Sequence, residues 1–196
     1  MTDSGGTPRV VFAAAASALA GLAWAGALRD WMVHLAGEAS VTTWQTPAFV
    51  LAPGAAIGGV LGHAAARRAE GQPVPRTVIA APLIFGVALL YPPNMVRVVK
   101  TGEGTGALGV ALIAMAGGHA IGGRGHPAAR VVNGVLASAS IGAVALVPSR
   151  INPALGSGSR RVALQGAALV ATFAIAATAS YGERAERRSR IGSAST

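Results

Sequence analysis

The chain has 196 residues, 52% hydrophobic and 12% charged, with a formal net charge of +9 and a mean hydropathy of +0.52. A water-soluble domain carries about twice that charged fraction, so the composition excludes an ordinary soluble globule, and the lack of cysteine excludes disulfides, thiolate chemistry and Cys-ligated metals. The arginines, with Lys100 the single lysine, stand at the ends of apolar blocks and are not interleaved with aromatics. That pattern suits topology signals and contacts with membrane lipids, and no nucleic-acid partner is expected.

Residues 1–8 are small and polar and are expected to be a flexible N-terminus. Arg9 then precedes an apolar run over residues 10–28, long enough to cross a hydrocarbon core of about 30 Å. The run also has the parts of a signal peptide: one basic residue, an apolar stretch, and the small residues Ala23, Ala25 and Ala27. It is taken as the first membrane helix; its removal would leave five crossings instead of six.

Residues 29–46 form the first polar connection, with Asp30, His34 and Glu38 four apart and so on one helical face. Trp31 and Trp44 suit an interfacial aromatic belt. A second helix is expected over residues 47–66, ended by Arg67 and Arg68 and kinked at Pro53 and Gly54. Its Gly54, Gly58 and Gly62 form a GxxxGxxxG stripe that lets another backbone approach.

After the loop EGQPVPR, a third helix covers residues 77–90, contains Pro82 and is ended by YPPN at 91–94. A fourth covers residues 107–122 and a fifth 131–147, where Pro148 stops it. Beyond a Gly/Ser loop, a sixth runs over residues 162–180. The expected fold is therefore an all-α polytopic membrane bundle of six helices, forming one transmembrane domain over residues 9–181. Residues 182–196 are expected to be a basic, disordered cytoplasmic tail.

Six crossings put both termini on one side. That side carries ten basic residues (Arg9, 67, 68, 76, 124, 130, 184, 187, 188 and 190) against six on the other (Arg29, Arg97, Lys100, Arg150, Arg160 and Arg161). The positive-inside rule makes the termini cytoplasmic. The alanine- and arginine-heavy, lysine-poor usage points to a bacterial plasma membrane.

The second and fourth helices share a pattern. His63 aligns with His119, Gly62 with Gly118, and Gly71, Pro73 and Arg76 with Gly125, Pro127 and Arg130. The stripe Gly58, Gly62, Ala66 falls on Ala114, Gly118, Gly122. A duplicated helix hairpin (helices 2–3 and 4–5) accounts for this, and chance alignment of Ala/Gly-rich segments accounts for it as well. A true duplication would pack the second helix closely on the fourth.

No acid falls in the middle of an expected span, which argues against an ion-coupled carrier with a buried carboxylate. The sharpest candidate for chemistry is the Asp30, His34, Glu38 face, suited to acid–base work or part of a cation site. Arg29, Tyr91, Asn94 and Arg97 come from the same side and are candidate substrate-binding residues. A solvated helix end explains the same face without any chemistry, and three residues on one helix do not complete a metal shell. His63 and His119, on two helices, are what a haem needs; helix-end histidines beside the macrodipole explain them more simply. No cofactor and no metal are expected.

There is no HExxH, GxSxG, CxxC or P-loop pattern. The leading expectation is a non-enzymatic module that forms a groove or pathway for a small solute or lipid. A second is an accessory or assembly subunit, packing through its glycines in a homo-oligomer or against a membrane partner. A third is a membrane enzyme around Asp30, His34 and Glu38.

Overall fold

A computed structural model describes residues 8–37, 43–91, 105–123 and 126–181, and every regular element among them is helical. α1 is Pro8–Ala36. A π-helical turn, Pro47–Leu51, leads into α2, Ala52–Ala69. A 3-10 helix, Arg76–Leu90, follows. Then come α3 (Thr105–Gly122), α4 (Pro127–Ile151), a 3-10 stretch (Pro153–Gly158), α5 (Ser159–Ala177) and a last 3-10 turn (Thr178–Ser180). Four segments are long and apolar enough to cross a membrane: Pro8–Ala36, Pro47–Ala69, Pro127–Ile151 and Ser159–Ser180.

Local chemistry explains where the helices stop. α1 ends at Gly37, whose φ of +58° is the left-handed conformation that glycine adopts without a Cβ penalty. α2 ends at Gly71 (φ +73°), with Gly71 N–H donating to the Arg68 carbonyl at 2.9 Å and Gln72 N–H to the Arg67 carbonyl at 2.8 Å, a Schellman cap. α4 begins on Pro127, whose absent N–H is one that the first turn would leave unpaired anyway.

Three elements differ from expectation. The disturbance expected at Pro53 and Gly54 lies just ahead of them, as a π turn in which Ala52 N–H donates to the Pro47 carbonyl. Pro148 does not stop the fifth helix: it lies buried inside α4, which runs one turn further, and Asn152 N–H donates to the Pro148 carbonyl at 3.0 Å. Proline removes one bond and crowds one carbonyl, which a packed helix tolerates. The third helix is wound as 3-10 over 15 residues instead of as α. Three residues per turn put Ile79, Pro82 and Phe85 in one row, with Pro82 and Phe85 buried. An α-helix would swing Phe85 about 60° away from Pro82.

The core lies where α1, α2, the 3-10 helix, α3 and α5 meet. Ile57, Leu61, Ala81, Phe85, Ala114, Phe173 and Ala177 form one buried cluster, and Leu28, Trp31 and Val162 a second. Trp24 packs against both. Its ring centroid is 4.8 Å from that of Phe173 and 5.8 Å from that of Phe85.

The most extensive contact is α1 on α2. Gly54, Gly58 and Gly62 meet Ala13, Ser17, Gly21 and Ala25 of an antiparallel α1. A methyl built on Gly58 would lie 3.0 Å from Gly21 Cα, and one on Gly62 would lie 3.0 Å from the Ala13 carbonyl oxygen. Gly118 and Gly122 instead face α5 and its 3-10 end: methyls built on them would lie 2.9 Å from Ala177 Cβ and 3.2 Å from the Thr178 carbonyl oxygen. The two glycine stripes thus serve different partners and do not face each other. Replacing Gly58 with Leu forces these backbones apart. It should lower stability by about 1–3 kcal/mol, read as a lower thermal midpoint in detergent. Gly142→Ala, with nothing within 4 Å of the new methyl, should be neutral or slightly stabilising.

Candidate functional site

α1 carries Trp24, Leu28, Trp31 and Leu35 at spacings of four, three and four, a single stripe that faces α5. Trp31 is 8% exposed, and its Nε1–H donates to the Val162 carbonyl at 2.8 Å. The indole fits where α5 has Gly166: a methyl there would come within 2.5 Å of Trp31 Cε2. Trp31 is therefore a core residue and not part of a lipid-facing belt. Trp24 Nε1–H donates to the Leu169 carbonyl at 3.1 Å and to Thr172 Oγ1 at 3.2 Å. Thr172 in turn donates to Leu169.

Beside this stripe, near the end of α1, lies the polar pair singled out in the sequence. Gln165 Nε2 donates to Asp30 Oδ2 at 3.2 Å. His34 Nδ1 is 2.9 Å from the Asp30 carbonyl oxygen and 3.6 Å from Asp30 Oδ2. Two acceptors flank that nitrogen, an arrangement that suits a hydrogen on Nδ1. Asn152 Nδ2 donates to the His34 carbonyl at 3.3 Å and ties α1 to the α4–α5 connection. The His34 and Asp30 side chains are 48% and 59% exposed, so their attraction is solvent-screened.

Glu38, Asn94 and Arg97 lie outside the described residues. Among the described residues no three His, Asp or Glu side chains group to hold a metal ion. Arg29 is half-buried and engaged. Tyr91 joins Trp44 and Phe49, with ring centroids 5.9 Å and 5.7 Å away and Trp44–Phe49 at 5.8 Å. This aromatic cluster ties the π turn to the end of the 3-10 helix.

The two histidines of the suspected repeat have unlike surroundings. His63 is exposed. His119 is half-buried between Tyr181, ring centroids 5.5 Å apart, and Asn133, whose Nδ2 is 3.2 Å from His119 Nδ1. Asn133 Nδ2 also donates to the Ala129 carbonyl at 2.8 Å, which fixes the amide so that His119 Nδ1 accepts. Arg130 caps the same end of α3, donating to the Ala120 and Ile121 carbonyls. Tyr181, just beyond the last apolar span, donates to the Met115 carbonyl at 3.1 Å, and burial pushes its phenol above the ordinary value of 10.0.

Along the 3-10 helix runs a shallow, open hollow of about 480 Å³ lined by Ala80, Leu83, Ile84, Gly86, Val87 and Leu90. Three residues per turn place Ala80, Leu83 and Gly86 in one row and Ile84, Val87 and Leu90 in the next, and the hollow is the furrow between them. Comparison of the chain with protein-family models, with curated proteins and with solved structures finds no match.

Sequence reasoning named Asp30, His34 and Tyr91 but gave no role to Trp24, Asn152, Gln165 or the 3-10 furrow. The signal for Gln165 was an amide on an apolar helix, which needs a partner.

Trp31→Phe should cost about 1 kcal/mol, because a buried donor is removed from its acceptor. Asp30→Asn should cost about 0.5 kcal/mol or less, because the pair is exposed. Thermal midpoints of the two variants in one detergent compare them directly. A raised phenol pKa means that the Tyr181 contribution is fully present below about pH 10 and is lost as pH rises through the raised value. Tyr181→Phe should therefore flatten the alkaline part of the stability-versus-pH curve.

Proposed function

We propose that the chain is a six-crossing, non-enzymatic membrane module that holds a lipid acyl chain in the furrow of its 3-10 helix, with both termini in the cytoplasm. Helix lengths support six crossings. The 15 residues of the 3-10 helix, rising about 2.0 Å each, reach about 30 Å, and the 18 residues of α3, at about 1.5 Å each, reach about 27 Å. Added to the four long apolar segments, these make six. The excess of arginine at the end that holds Arg67, Arg68, Arg76 and Arg130 supports a cytoplasmic placement of that end.

The observation that carries the lipid reading is the furrow itself. Every lining residue is apolar, and all six belong to one helix, so the hollow opens sideways and not along the bundle axis. A polar solute finds no partner there. In a bilayer, the medium against such a surface is acyl chain. The glycine stripes are occupied inside the bundle, which weighs against a subunit that docks through them.

The test is native mass spectrometry of the detergent-purified protein, beside Ala80→Trp. Ala80 is exposed at the start of the furrow, and an indole there fills it. Wild type should retain phospholipid and the variant should lose it with its helicity unchanged. Equal lipid on both proteins, or none on wild type, would refute the acyl-chain reading.

A further inference from the structure

We infer that the lipid held in the furrow is an anionic phospholipid whose headgroup phosphate is bound by Arg67 and Arg76, at the end where α1 and the 3-10 helix begin and α2 stops. This rests on the acyl-chain reading above and adds the chemistry of the polar end.

Backbone register brings the arginines together. Methyls built on Gly58 and Gly62 meet α1 at Gly21 and at the Ala13 carbonyl oxygen. One helical turn further along this antiparallel pair sets Ala66 beside Arg9, and Arg67 is the next residue. The loop over residues 70–75 returns the chain to Arg76 at the same end, closed by Gln72 N–H donating to the Arg67 carbonyl. Arg9, Arg67, Arg68 and Arg76 thus stand at one end of three helices. Among the described residues the acid at that end is Glu70, whose carboxylate accepts from Gln72 Nε2 at 2.8 Å.

Two features point from this cluster to a lipid phosphate. Arg67 is half-buried, and its Nε–H is shut away from water with no acceptor among the described residues. A buried donor without an acceptor is costly. A guanidinium that turns outward onto a phosphate regains partners, because its donors form a fork that fits phosphate oxygens. Basic pockets between helices on the cytoplasmic side suit anionic headgroups for this reason. The second feature is the course of the furrow. Thr77 shares the row of Ala80, Leu83 and Gly86, one turn or about 6 Å nearer the helix start, and is exposed. That row runs on from the furrow toward Arg76. At its other end the furrow meets the uncharged rings of Tyr91, Trp44 and Phe49. Arg150, Arg160 and Arg161 stand on α4 and α5, which contribute no residue to the furrow.

The experiment offers the purified full-length protein an equimolar mixture of phosphatidylglycerol, phosphatidylethanolamine and phosphatidylcholine with identical acyl chains, and reads retained lipid by native mass spectrometry, with helicity checked by circular dichroism. Wild type should retain phosphatidylglycerol over either zwitterionic lipid by about five-fold for each arginine engaged. Arg67→Gln should lower that preference by about five-fold, Arg67→Lys, which keeps the charge without the fork, should lie between, and Arg160→Gln should keep the wild-type ratio. An excess of glycerol phosphate in solution should leave the bound lipid in place. Parity among the three lipids on wild type overturns the headgroup inference and leaves the furrow standing. A phosphatidylglycerol preference that survives Arg67→Gln and Arg76→Gln together also overturns it, and its loss in Arg160→Gln would move the headgroup to the opposite end. Displacement by glycerol phosphate overturns it in favour of a soluble phosphate ester. Absence of lipid from wild type overturns the furrow reading and this inference together.

Discussion

In a bilayer, an apolar helix gains little by exchanging lipid tails for another apolar helix, so association depends on close packing and on polar groups that find each other. The approach of α1 and α2 supplies the first. Where Ser17 and Gly21 face Gly54, Gly58 and Gly62, there is no space for one added methyl. Two backbones in contact bring many atom pairs to van der Waals distance, each worth only about 0.1–0.2 kcal/mol but numerous. Once that pair is formed, the later part of α1, from Trp24 to Leu35, carries the same helical face on to α5. The small-residue segment and the tryptophan segment of α1 thus hold α2 and α5 in one bundle.

Polar satisfaction supplies the second element. An indole N–H in hydrocarbon costs several kcal/mol if left unpaired. Trp24 and Trp31 place theirs on α5 carbonyls, 145 and 131 residues away in sequence. Carbonyls have a second lone pair, so the helix keeps its own ladder while accepting these bonds. Several other polar contacts lie toward the helix ends: Asp30 with Gln165 and Asn152 with His34 at one, Arg130 with Ala120 and Asn133 with His119 at the other. The acids among the described residues, Asp30 and Glu70, lie in the last turns of α1 or beyond α2. No described carboxylate has to be desolvated in the apolar layer, and this division lets an apolar furrow persist on the 3-10 helix.

Much of this arrangement was legible from spacing alone. The all-helical class, the apolar blocks and the glycine stripe follow from residue types whose backbone demands are local. The partner of the stripe was not legible, because Ala13, Ser17, Gly21 and Ala25 look like ordinary composition in an Ala/Gly-rich chain until they are seen against Gly54 and Gly58. Trp31 misled for a related reason: beside Asp30 and Arg29 it resembles an interfacial anchor, and only Gly166, 135 positions on, provides the slot that buries it. Pro148 looked like a stop because proline ends helices in water, where a freed carbonyl is hydrated. Buried among neighbouring helices, it ends nothing.

The 3-10 winding is where sequence periodicity fails for a physical reason with functional weight. A helix declares its period through alternation of apolar and polar residues, and RTVIAAPLIFGVALL is apolar on all sides after its second residue. Packing then chooses the winding. Three residues per turn lines Pro82 up with Phe85 toward the core, and the same winding lengthens the segment by about 0.5 Å per residue relative to an α-helix. It also stacks the outward residues into straight rows. Span length and buried face are therefore two consequences of one winding. The aromatic cluster of Trp44, Phe49 and Tyr91 holds the far end of that segment against the π turn, so the structure keeps the winding in register at the point where the furrow meets the polar boundary.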